Sequence, residues 1–93
     1  MINEINLGGT ICSKKVINEK LTTFAIKYNA GKDKSGNFIN GFMNCKYFGT
    51  LSQNDGDRIE ISGWLGYDTW EKDGKKQGRT VICCKSLEDI VLF

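Results

Sequence analysis

The 93-residue sequence contains no histidine and no proline. Without histidine there is no imidazole to serve as a general base or to complete a mixed zinc site, so two common routes to catalysis are closed. Cysteine is present at Cys12, Cys45, Cys83 and Cys84, but never in CxxC spacing, and adjacent Cys83 and Cys84 on a strand face opposite ways. These read as reduced thiols in core or surface positions. The sequence also lacks a glycine-rich phosphate loop leading into a helix and any serine or cysteine paired with a base. No run approaches the ~20 apolar residues of a membrane helix, and the first residues lack the basic and apolar regions of a signal peptide. These absences point away from an enzyme and toward a cytoplasmic binding protein with no cofactor, no metal and no membrane partner. Asp55, Asp57 and Glu60 are the one acidic group where a metal could be sought. Asp55-Gly56 reads as a turn and Asp57-Arg58 as the start of a strand, so a structural role is expected there.

What the sequence does have is 11 glycines and short runs of β-branched and aromatic residues, which suit an all-β chain with tight turns. Residues 1–93 form one domain, small enough to need a closed barrel or self-association for stability. Strands are expected over 3–13, 21–28, 38–48, 57–70 and 79–84. Between them lie a polar loop or hairpin over 14–20, a mobile hairpin loop over 29–37 and a short connection over 50–56. Asp73-Gly74 is a tight-turn signal and makes the fourth and fifth strands a long hairpin. Gly8-Gly9 permits a kink or a close backbone approach in the first strand. An apolar segment over 87–93 either continues the fifth strand or folds back on the barrel.

The pattern within these strands is more specific. Phe42, Phe48, Trp64 and Trp70 occupy even positions, while Met43, Cys45, Tyr47, Ile59, Ile61 and Leu65 occupy odd ones. Alternate side chains of a strand face opposite ways, so the odd set fills a core and the four aromatics point outward. Stacked nucleobases are the most economical explanation for such rings. Asn44 and Lys46 share their parity, and Tyr28 closes the second strand at the edge of the surface.

The net charge of +2 is small, yet cations gather on two hairpins. Lys32 and Lys34 lie on one, and Lys72, Lys75, Lys76 and Arg79 on the other. Beside exposed aromatics, these cations suit a phosphate backbone.

Five strands with a long final hairpin describe an oligonucleotide-binding (OB) barrel with little or no helix. The chain resembles the bacterial-type single-stranded DNA-binding proteins at Asn6-Leu7-Gly8-Gly9-Thr10-Ile11, Leu21-Thr22-Thr23-Phe24-Ala25-Ile26 and Cys45-Lys46-Tyr47-Phe48-Gly49. The resemblance is most specific at Gly56-Asp57-Arg58-Ile59-Glu60-Ile61-Ser62-Gly63-Trp64-Leu65, followed by Asp68-Thr69-Trp70-Glu71-Lys72-Asp73-Gly74 and Arg79-Thr80. It implies a binder of single-stranded DNA serving replication, recombination or repair, assembled as a homodimer or homotetramer. The family's stacking rings fall on Phe42, Phe48 and Trp70, with Tyr28 near another. Trp64 stands where the family more often has a polar or basic residue, so parity alone assigns it to the face, and an oligomer contact is its other reading. Two departures stand out. The connection over 50–56 is too short for the family's helix, leaving the barrel bottom to a partner subunit or the C-terminal segment. The family's flexible acidic tail has no counterpart, since Glu88-Asp89-Ile90 and Phe93 read as a closing strand; such a compact form suits a bacteriophage or plasmid. Alternative readings are a primosomal-type adaptor for replication proteins and an RNA binder.

Overall fold

A computed structural model of the chain describes residues 2–84 and 90–92. It contains β1 (Ile5–Asn18), β2 (Leu21–Lys32), β3 (Phe38–Tyr47), β4 (Arg58–Lys72), β5 (Lys75–Cys84) and β6 (Ile90–Leu92), with no helix among the described residues. Period-two burial is clearest in β2, where Thr22, Phe24 and Ile26 are buried and their neighbours are not. β1 to β4 thus each give one stripe of side chains to a single core, while the end of β5 from Val81 to Cys84 is buried on both faces.

The strands follow one another in the order β1-β2-β3-β5-β4, and β4 pairs back with β1 to close the ring. This is the OB arrangement, all antiparallel except for the parallel contact of β3 with β5. Closure happens at one residue, since Thr10 pairs with Lys27 on β2 and with Arg58 on β4. Gly9 makes the bend possible, because a Cβ there would run into the Lys27 carbonyl and the Ile26 side chain. β6 pairs antiparallel with Ile59–Ile61 of β4 while β1 holds that strand's other flank, so it prolongs the ladder begun by β5. The rest of the expected last segment, 87–89 and 93, lies outside the described residues.

The core comprises Ile11, Phe24, Ile26, Cys45, Tyr47, Leu51, Ile59, Ile61, Ile82 and Cys84. Leu51 joins this core from outside the strands. It lies in the connection from β3 to β4 and is 1% exposed. Its N–H donates to Thr22 Oγ1 (3.2 Å), and that buried hydroxyl donates to the Gly49 carbonyl (2.8 Å). The rest of the connection is tied to β1: the Gly56 N–H donates to the Ile11 carbonyl (2.8 Å) and the Lys14 N–H to Asp55 Oδ1 (2.9 Å). The second bond follows a β-bulge after Cys12, where Ser13 takes a left-handed φ of 54°.

Of the two readings for 14–20, the hairpin is the one formed, between β1 and β2, with the Lys20 N–H donating to Asn18 Oδ1 (2.7 Å). Two other expectations change in extent. The loop expected over 29–37 shrinks to 33–37, where Asp33 Oδ1 accepts the N–H groups of Ser35 (2.9 Å) and Asn37 (3.0 Å). Leu65 is exposed rather than in the core. It keeps the inward parity opposite Ile82, but there the β4–β5 hairpin begins to outrun the ring, and its inner face meets solvent.

Candidate nucleic-acid interface

Residues paired across neighbouring strands share a face, so the register maps the outer surface directly. One row runs Trp64, Cys83, Lys46, Thr23, Lys15 across five strands. A second row runs Arg58, Thr10, Lys27, Phe42. Between them lies Cys12, Ala25, Asn44.

Four rings stand on this face, Phe42 at 65% exposure, Phe48 at 52%, Trp70 at 42% and Trp64 at 36%. Phe48, just past β3, lies nearly parallel to Trp64, with centroids 6.3 Å apart and planes at 14°. That contact places Trp64 within the aromatic cluster. Trp70 stands further along β4, with the Arg79 guanidinium 5.5 Å above its ring, a cation–π arrangement that pins the ring. Arg79 also reaches toward β3, where it lines a cleft of about 180 Å³ with Asn44, Thr23 and Ala25.

Lys46 Nζ pairs with Asp68 Oδ1 at 2.7 Å, each side chain about a quarter exposed. The carboxylate orients this cation, and any anion approaching Lys46 would have to compete with Asp68 for it. Cys83 sits between Lys46 and Trp64, with its thiol filling the space over Gly66. Burial pushes this thiol above its ordinary range, with Lys46 opposing and Asp68 adding.

The two hairpins frame the face. Lys72 and Lys75 flank the Asp73-Gly74 turn as a pair on the same side as Trp70, and the positive φ of both turn residues (53° and 77°) is that of a type I′ hairpin. Lys76 pairs with Glu71 on the opposite side. On the β2–β3 hairpin, Lys32 lies 4.9 Å over the Phe38 ring, and Lys34 is exposed in the turn. Tyr28 lies on the inward side, with its ring over Gly41 where a Cβ would otherwise sit. The structure thus gathers Phe42, Asn44, Lys46, Phe48, Trp64, Trp70, Lys72, Lys75 and Arg79 on one side. Tyr28 and Lys76 fall on the other parity.

Sequence reasoning missed Phe38 with its lysine cap, and Lys27 and Arg58 in the second row. Lys27 carries the outward parity of β2 and was open to detection; Arg58 was visible only once the ring closure was known. The acidic group resolves structurally. Asp55 and Asp57 direct carboxylate oxygens to the N–H groups of Lys14 and Asn54, and no metal-binding cluster forms among the described residues.

No family model and no curated protein sequence matches the chain. Solved structures do. A single-stranded DNA-binding protein of Plasmodium falciparum, solved in complex with single-stranded DNA, superposes with a TM-score of 0.75 at 17% identity, covering 100% of this chain and 96% of that one. The small single-stranded DNA-binding protein of Streptomyces coelicolor superposes at 0.69 with 18% identity and the same coverages. The chain shares the fold of these proteins over its whole length.

Proposed function

We propose that this protein binds single-stranded DNA without strong sequence preference, stacking bases on Phe42, Phe48, Trp64 and Trp70 and holding phosphates with Lys46, Arg79 and the hairpin lysines. The observation that carries this reading is the collection of four large exposed rings on one face of the ring of strands, with cations set among them. Aromatic faces accept any base, and each stack contributes about 1–3 kcal/mol. The fold neighbours agree, one of them being a complex with single-stranded DNA. Lys32 and Lys34 extend the grip at one end of the face, Lys72 and Lys75 at the other. The work is non-catalytic, in the cytoplasm of a bacterium or phage-infected cell, and it protects exposed strands during replication, recombination or repair. We also propose a homodimer or homotetramer, which sedimentation at micromolar concentration tests: a single monomeric species overturns it.

Tryptophan fluorescence tests the main reading. Titration with oligothymidylate quenches Trp64 and Trp70 strongly at low salt and less at moderate salt, whereas duplex DNA leaves them nearly unchanged. Equal response to duplex, or no response to either, overturns the proposal. Protein partners retained by a Phe48→Ala/Trp70→Ala variant in pull-down, with no strand affinity in the parent, would favour the adaptor reading.

A further inference from the structure

The row Arg58, Thr10, Lys27, Phe42 continues past the last aromatic of the face, and it crosses a groove that the stacking rings do not use. The groove has a volume of about 530 Å³, within the ~300–1,000 Å³ range of clefts that hold small ligands. It opens because the part of β1 before Thr10 pairs with β4 instead of β2, while β2 runs on past Lys27 beside β3. Its β1 wall is backbone at Gly8 and Gly9, and the polar side chains around it are Thr10, Lys27, Asn29, Asn40 and Arg58.

Every one of these side chains can donate a hydrogen bond. Asn29 Oδ1 already accepts the Gly31 N–H (2.8 Å), which leaves its amide nitrogen as the free end. Asn40 pairs with Asn29 across the strands and presents a second amide. Among the described residues, neither Lys27 nor Arg58 has an ion-pair partner, in contrast to Lys46 with Asp68. Among the described residues, no carboxylate lines the groove. Glu60 shares the face of β4 opposite Gly8 but stands outside the lining. The two cations flank Thr10 on adjacent strands, so their Cα atoms stand about 10 Å apart by strand spacing. Such a gap lets two long side chains converge on one tetrahedral anion.

We infer that this groove holds a phosphate of the bound strand between Lys27 and Arg58, carrying the strand from Phe42 across β2 and β1 to β4. The inference rests on the strand-binding reading above and adds a path to it. Direct neighbourhood commits it to the strand's own phosphodiester, because Lys27 is the cross-strand partner of Phe42 and a base stacked there places its backbone beside Lys27.

The test is the salt dependence of long-oligothymidylate binding, read by tryptophan quenching, for the parent, Lys27→Ala, Arg58→Ala, the double variant and Lys20→Ala. Lys20 lies in the β1–β2 turn, away from the groove, and matches the loss of one positive charge. The double variant is expected to flatten the slope of log affinity against log salt by roughly 0.7, the loss of one phosphate contact, and each single groove variant by part of that. Saturating quench stays at the parental value, since the rings are untouched, and Lys20→Ala keeps the parental slope. A double variant with the parental slope, or a Lys20→Ala slope that flattens equally, overturns the groove site. A parent protein that shows no quenching at all instead overturns the strand-binding reading. Unchanged thermal midpoints confirm that the variants, all at exposed positions, are folded.

Discussion

Gly63 has no room for a side chain. A Cβ at this position would overlap the Cys83 carbonyl and press on the Cys84 backbone, where β4 and β5 draw together beside the core. Gly63→Ala is therefore expected to cost about 3 kcal/mol, measured as a lowered denaturant midpoint. The rings of the face stand outside the core and, in the proposed function, stack bases. Phe48→Ala removes one stacking surface and also the ring that lies against Trp64. Strand affinity is expected to fall about 5- to 150-fold, the equivalent of one base stack, with little change in stability. The thiols give the molecule an alkaline limit. Cys45 and Cys83 are both raised from the ordinary 9.0, chiefly by burial, so the folded state keeps protons that the unfolded chain loses. Stability is fully present below pH 9 and falls above it, by up to roughly 1.4 kcal/mol per pH unit for the buried Cys45, with Cys83 acting in the same direction. Urea midpoints at pH 8 and pH 10 check the sign, and Cys45→Ala should flatten the fall. Single residues were legible wherever parity decided them, as for Phe42 or Ile61. Tyr28 was legible in the same way, since it shares the inward parity of Phe24 and Ile26, and only its place at the end of the strand and the family resemblance drew it toward the face.

At the scale of elements, alternation and turn chemistry explain what could be read. Asp73-Gly74 announced its hairpin because a type I′ turn needs left-handed φ at both residues, and Gly8-Gly9 announced the bend in β1. The connection from β3 to β4 carries no periodicity, and nothing local marks Leu51 as a core residue. Its burial comes from three-dimensional fit, with the hydroxyl of Thr22 fixing both its N–H and the preceding turn. Leu51→Ala is expected to cost about 2–5 kcal/mol, measured by chemical denaturation, while strand affinity holds because the face lies elsewhere. The lengths of the hairpins were equally hidden. Leu65 obeys the inward alternation, yet alternation says nothing about where a ring of strands ends and a projecting arm begins.

For the molecule as a whole, the ring of strands presents stacking surface and cations on one curved side. Affinity drawn from several separate phosphate contacts should fall steeply as salt rises, by roughly 0.7 in the log–log slope for each. The closure that shapes this side also orders the events by which the chain reaches it. Thr10 must find Lys27 nearby and Arg58 far along the chain, and the second pairing joins the N-terminal half of β1 to a strand made long after it. Loop entropy opposes such a distant contact until most of the intervening hairpins exist. On a ribosome, Ile5 and Leu7 therefore emerge early and wait, their apolar stripe uncovered until β4 arrives. Completion of the β1–β4 ladder is the slow kinetic step this topology dictates, on the millisecond-to-second scale of high-contact-order β folds.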